Sequence, residues 1–312
     1  EKQYKFYFGQ QWEGADTGNV QPITLNVIKP TIKYKIGVIK TNSYQIVFNP
    51  NIWSNLDEYN KLEKICHSLN RFVNRIWELE QVKFKTEEAL KDSAICSEGI
   101  VHCYEQDGDI KLELIDKINI YYGNENDDNI QDQPYIIISY RRTVDSVKEE
   151  ARSNGIDEEI VNNIVSDNDY FEQSNKDKRI NEVSPMCLVL LKYYKKNGMV
   201  WIKKCTRTVT IMEESDTKLT YYPIAHMLWE KIKGYARGSG EVEPMIANQI
   251  EINKVATRRA IAVMLCAFPK IVADIDYIAN PSALSEVGTT IELEKIPANN
   301  INSVISYLNP AT

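Results

Sequence analysis

The chain has 312 residues, 43% of them hydrophobic and 26% charged, with a formal net charge of −7. That composition excludes a disordered chain and a membrane-spanning bundle, and the length allows two or more compact units. The acidic balance argues against a tight duplex binder, whose affinity depends on Lys and Arg neutralising phosphates.

Taken in order, the first residues, EKQYKFYFGQQW, lack both an initiator Met and the order of a signal peptide. The start is therefore expected inside a longer encoded protein, with nothing marking it for export. Tyr4 to Trp12 is an aromatic cluster. Leu25, Ile28, Ile32, Ile36 and Ile39 follow at helical spacing with Pro30 among them, which predicts a kinked helix. Tyr44 to Phe48 alternates as a short strand. A long helix is expected through Leu56, Leu62, Ile65, Leu69, Phe72, Ile76 and Leu79, with Asp57 and Glu58 in its first turn, and a second from Thr86 to Cys96, closing near Gly99.

Strands are predicted at Ile100 to Glu105 and Ile110 to Ile115 around Asp107-Gly108, a turn pair that tolerates positive φ. Pro134 to Tyr140 is another strand. Cys187 to Tyr194 and Met199 to Thr206 form a hairpin across Asn197-Gly198, continued by Val209 to Met212. Between them, Asp145 to Glu182 holds eleven acids against five bases, and so nearly all of the net charge. Two short helical patterns lie within it, about Val147 and about Ile160. It reads as a solvated insertion without an apolar core.

From Tyr222 the chain runs through an extended Pro223 segment and the glycines Gly234, Gly238 and Gly240, and then as one long helical pattern to Phe268. Ser239 is placed to cap this helix, Glu241 and Glu243 suit its positive end, and Pro244 fits its first turn. Val242, Met245, Ile246, Ile250, Ile252, Ala256, Ala260, Val263, Met264, Ala267 and Phe268 share a broad stripe, with Lys254 and Arg258 opposite. Gln249, Asn253 and Thr257 interrupt the stripe one turn apart, and buried amides need partners. Ala260 to Phe268 is apolar nearly all round, yet far short of the roughly 20 residues that cross a bilayer. It is either a core helix of a monomer or a helix packed between copies. Beyond it, Ile271 to Ala273 and Thr289 to Leu293 read as strands, and Ile301, Val304, Ile305 and Leu308 as a short helix.

Chemistry is sparse. The cysteines Cys66, Cys96, Cys103, Cys187, Cys205 and Cys266 contain no C-x-x-C pair and read as free thiols. His102 and Cys103, adjacent on a strand, point to opposite faces and make no metal site. Gly238-Ser239-Gly240 is not a nucleophile elbow, and no phosphate-binding loop occurs. Asp107 with Asp109, or Asp274 with Asp276, is the sole opening for Mg²⁺ and hence for a nuclease, and neither pair has a third carboxylate or a Lys beside it. No cofactor or metal is expected.

The ordered series Tyr222-Pro223-Ile224-Ala225, Trp229, Gly238-Ser239-Gly240-Glu241-Val242-Glu243-Pro244, Asn248-Gln249-Ile250, Ile252-Asn253-Lys254 and Phe268-Pro269-Lys270 resembles the portal proteins of tailed bacteriophages. The resemblance implies an α+β chain with an N-terminal arm (1–20), a mixed wing (21–237, with the acidic insertion 145–182), a stem helix (238–268) and a small α/β clip (269–312). In that family a second stem helix and a tunnel helix would follow. It further implies a homo-oligomeric ring of about twelve subunits at one capsid vertex. Its partners would be the major capsid protein, the terminase large subunit and a head-tail adaptor, with double-stranded DNA passing weakly through and no membrane. The ring would sit in the virion after assembly in the host bacterial cytoplasm. On this reading Gly238, Ser239, Gly240 and Pro244 start the stem. Gln249, Asn253, Ala260, Val263, Met264 and Phe268 lie between subunits, the two amides bonding across to fix register as in coiled coils. Lys254 and Arg258 face the tunnel. A metal-dependent nuclease and a head-tail adaptor ring are the alternatives.

Overall fold

A computed structural model describes residues 1–14, 21–41, 46–51, 56–106, 108–167, 185–267, 270–285, 290–294 and 305–308. By its contacts the chain divides into two units, Glu1–Phe8 with Val27–Ile246 and Gly9–Asn26 with Ala247–Thr312. Residues 1–8 therefore cluster with 27–246, and residues 9–26 with 247–312. The start of the stem helix, through Ile246, also belongs to the first unit.

The first unit is α+β. It contains α1 (Lys2–Phe8), α2 (Ile28–Lys40), α3 (Leu56–Leu79), α4 (Val82–Cys96), β1 (Glu98–Gln106), β2 (Asp109–Ile115), β3 (Ile120–Tyr122) and β4 (Tyr135–Thr143). There follow α5 (Val144–Ser153), α6 (Glu158–Asn162), β5 (Met186–Lys196), β6 (Met199–Thr206), β7 (Thr210–Asp216) and β8 (Ile224–Leu228). Both predicted hairpins form. Gly108 has φ +84°, and Asn197 and Gly198 have φ of 53° and 79°, the left-handed values that such two-residue turns demand. Pairing closes directly on the turns, Gln106 opposite Asp109 and Lys196 opposite Met199.

Two antiparallel sheets result, in the orders β2-β1-β8 and β3-β4-β5-β6-β7. Their facing side chains make one core, with Ile100, Ile115 and Ile224 from the smaller sheet against Ile136, Ile138, Leu191, Tyr193 and Val200 from the larger. On β5 the residues Cys187, Val189, Leu191 and Tyr193 are all buried, as the period of two requires of the covered face. α4 lies against β1 so closely that a Cβ on Gly99 would come within 2.2 Å of the Ala89 carbonyl oxygen.

Three sequence expectations fail here, each for a local reason. α2 starts at Ile28, so Pro30 falls in the first turn, where a missing N–H costs nothing, and Leu25 lies outside the helix. Residues 46–51 form no strand; the Asn70 side chain pairs instead with both backbone groups of Phe48, at 2.8 and 3.1 Å. α4 begins already at Val82, because Gln81 at φ +49° breaks the chain direction after α3.

The largest correction concerns the acidic insertion. α5 and α6 turn Val144, Val147, Ala151, Val161 and Ile164 onto Cys187, Val189, Val209 and Ile211, forming a second core cluster on the larger sheet. Asp167 is also buried; it pairs with Arg141 at 3.1 Å and accepts the Leu188 amide at 2.8 Å. The described part of the segment is thus a packed layer with charges on its outer side, while 168–184 lie outside the described residues.

In the second unit, β9 (Lys270–Ala273) pairs antiparallel with β10 (Ile305–Leu308). The helix expected over Ile301 to Leu308 is a strand where it is described: the β-branched Ile305 fits a pleated pair, and β9 supplies its partner. The strand expected at Thr289 to Leu293 reduces to one bridge, Leu293 opposite Ile278.

Candidate functional site

The long helix, α7 (Val242–Ala267), begins in the first unit and continues in the second. Its start is fixed by backbone against backbone. Ser239 and Glu230 exchange amide bonds of 2.9 and 3.2 Å, and a Cβ on Gly238 would meet the Glu230 carbonyl oxygen at 2.5 Å. A Cβ on Gly240 would meet the Ser97 nitrogen at 2.9 Å and the Ile95 carbonyl oxygen at 3.0 Å. The Glu241 amide then donates to the Ala94 carbonyl at 2.8 Å. Gly240 is present because the chain passes too close to the end of α4 for a side chain, and Gly238 because it passes too close to Leu228 and Glu230.

Ser239 does not cap the helix as expected. The helix starts three residues later, and the Ser239 hydroxyl reaches the adjoining Gly240 carbonyl at 3.5 Å. Glu241 stands at the helix start instead. Hydrogen bonds from Lys35 and from the Trp229 indole hold its carboxyl below the usual range. Pro244 sits in the first turn, as its missing amide requires.

Beyond Ile246, about 100° per residue divides the helix into separate faces. The first is a buried polar ladder. Gln249, Asn253 and Thr257 are 1%, 2% and 8% exposed within a single chain. Gln249 Nε2 donates to the Leu25 carbonyl at 2.7 Å and to Asn253 Oδ1 at 3.0 Å. Asn253 Oδ1 accepts the Leu25 amide at 3.0 Å, and its Nδ2 donates to Gln11. Thr257 Oγ1 accepts the Ile23 amide at 3.0 Å. Where the sequence suggested bonds across to a neighbour's helix, Gln249 and Asn253 make these bonds within their own chain. A buried amide takes the nearest unsatisfied backbone, and here that is the extended segment 21–26 of the same chain.

The second face is apolar and open. Ile252, Val255 and Val263 are 37%, 60% and 61% exposed, and Ala260 and Met264, which continue the ladder's direction beyond Thr257, are exposed too, Met264 at 59%. With Ile23 and Leu25 they border a groove of about 930 Å³, flanked by Glu251 and Arg259. The third face carries Lys254 and Arg258, both exposed and away from ladder and groove, with Lys254 paired to Glu251 at 2.8 Å. Phe268 lies outside the described residues.

Asp274 spends Oδ1 on the Asp276 amide at 3.2 Å, closing a turn, and among the described residues no three His, Cys, Asp or Glu side chains are grouped to hold a metal.

Residues 1–292 match the model of the phage P22-like portal protein family. The chain belongs to that family. No curated protein matches it. Membership makes this a phage portal subunit, a capsid component that works in an oligomeric ring. Among the described residues no helix is long and apolar enough to cross a membrane.

Two features of this portal subunit were missed in its sequence. One is the strap 21–26 with Gln11, whose only hint is the alternation of Ile23 and Leu25 after Pro22. The other is Glu98, fully buried, which meets Arg237 and Lys117 at 3.3 Å and His226 at 3.4 Å. Burial pushes the Glu98 carboxyl up, but His226, Arg237 and Lys117 bring it below its ordinary value. Partners more than a hundred residues apart leave no periodic signal.

Proposed function

We propose that the chain forms a closed ring of about twelve copies at one capsid vertex, through whose bore double-stranded DNA is packaged and later ejected. The observation that carries this reading is the open apolar face of α7. A subunit exposing Val255, Val263 and Met264 on one helix leaves a contiguous apolar surface that a monomer rarely tolerates. Ala260, Val263 and Met264 then belong to the subunit contact, joined on sequence grounds by Phe268. Closure requires heterologous contacts in which each copy offers this face to the next.

The wing portion would engage the major capsid protein, and the clip portion the terminase large subunit during packaging and the head-tail adaptor afterwards. The ring would assemble in the host cytoplasm and remain in the virion. Lys254 and Arg258 would face the lumen, too few to hold DNA tightly and so permitting it to slide without sequence preference. Catalysis has no part in this reading. The test is solution mass together with class-averaged electron micrographs of wild type and Val263→Asp. Wild-type rings with a central channel, lost in the variant, support the reading; a wild-type monomer at high concentration, or metal-dependent cleavage of DNA, defeats it.

A further inference from the structure

The groove on α7 is not made by the helix alone. One of its walls is the strap 21–26, and Ile23 and Leu25 both contribute to the lining. Among the described residues the strap has no strand partner. It is held by the ladder, and the match is one of repeat lengths: two residues of extended chain rise roughly 6.6 Å, and one i to i+4 step along a helix rises roughly 6.0 Å. The amides of Ile23 and Leu25, two residues apart, can therefore meet Thr257 and Asn253, four residues apart, without strain in either element. The strap consequently runs antiparallel to α7, and its register is set by side chains on the helix. The Trp12 indole adds a bond to the Ile23 carbonyl at 3.3 Å.

Bonding the backbone of residues 23 and 25 to the ladder leaves their side chains to border the open face. Leu25 is 52% exposed although it stands beside buried amides. An exposed leucine fixed in register by three side chains is a surface prepared for contact. The groove extends over α7 from Ile252 to Met264, roughly 18 Å at 1.5 Å per residue, and is apolar along its floor with one acid and one base at its flanks. That shape fits a helix of about three turns better than a small molecule. In a protein that works as an oligomeric ring, α7 of the adjoining copy is the occupant this shape calls for.

We propose that the strap is a structural wall of the ring contact, and that Gln249, Asn253 and Thr257 govern assembly through it rather than by reaching the next subunit. This rests on the assembly reading above. The N-terminal segment of each copy is thus part of the surface that receives its neighbour's stem helix. Loss of the strap would leave a shallower face that binds less tightly and with poorer register.

The experiment compares the full chain with three variants, Val263→Asp on the groove, I23A/L25A on the wall, and Thr257→Val on the ladder. Mass photometry over a dilution series reads the concentration at which rings dissociate, and amide hydrogen exchange reads strap docking. The expected result is that V263D abolishes rings. I23A/L25A should raise the dissociation concentration about tenfold or more, because both truncations remove apolar surface from the contact, with the subunit's melting temperature unchanged. T257V should speed exchange at the Ile23 amide and weaken the rings in the same direction. If V263D dissociates while I23A/L25A and T257V assemble like wild type, the strap is not a wall and the inference falls, leaving the assembly reading intact. If V263D itself assembles normally, both fall together. A wall variant that failed to fold would show by its melting, and T257V with its exchange readout would then decide.

Discussion

Gly240 and His102 show how single residues in this portal subunit are fixed by what surrounds them. At Gly240 the limit is steric. Because the nearest atoms to an added Cβ are backbone groups of residues 95 and 97, neither can swing aside. Gly240→Ala should lower stability by about 1 to 3 kcal/mol, read as a drop in melting temperature, whereas alanine at Gly155, where a Cβ would meet nothing within 4 Å, should show just the smaller penalty of its positive φ. At His102 the limit is electrostatic. The ring is 2% exposed, bonded to the Tyr193 hydroxyl at 2.9 Å and stacked on Tyr104. Burial, with Lys204 nearby, pushes its imidazole down to about 4 from 6.5. Below pH 6.5 the unfolded chain binds a proton that the folded chain refuses, so unfolding gains ground as pH falls from 6.5 to 4. The loss from this residue should total about 3 kcal/mol, complete once the pH is below both values. Denaturant titrations of wild type and His102→Phe across that window should differ in slope; parallel curves would mean that the imidazole is already accessible to water.

At the scale of elements, α5 and α7 carry opposite lessons about what a pattern can tell. In α5 the sum of charges hid two faces: Val147 and Ala151, one turn apart, are fully buried, while Asp145 and Glu149 lie on the other side. Removing residues 144–167 should therefore unfold the larger sheet's second core, and Ile164→Ala alone should cost about 2 to 5 kcal/mol in denaturant unfolding. In α7 the burial of the three polar residues was legible from their spacing, because a buried amide declares a need for partners. The identity of those partners was not, since the strap that meets them stands more than two hundred residues earlier. The hairpins were read correctly because Asn197-Gly198 and Asp107-Gly108 specify their turns locally. The C-terminal strand β10 was misread because its state is decided by β9 across the sheet. For the same reason Q249L/N253L should loosen the strap and cost roughly 1 to 3 kcal/mol per orphaned backbone group, seen as faster amide exchange at Leu25.

For the whole molecule, the proposed ring asks one helix to serve both a tight contact and a passage for DNA. The faces of α7 answer it by separation: the ladder is consumed within the chain, the apolar face is open, and Lys254 and Arg258 stand apart from both. If the third face lines the bore, reversing its charge should leave the ring untouched, because neither side chain borders the groove. K254E/R258E should therefore give rings of wild-type mass and uniformity. The change should appear only where DNA is present. Each subunit would exchange two positive charges for two negative ones, multiplied around the ring, so the variant should package shorter lengths of DNA and show a greater gain on raising salt, as screening shortens the repulsion below roughly 10 Å at 0.1 M. Wild-type rings should bind free DNA weakly, with a shallow dependence on salt concentration. A K254E/R258E ring of altered subunit number would place these two residues in the contact between copies, and unaltered packaging at every salt concentration would remove them from the bore.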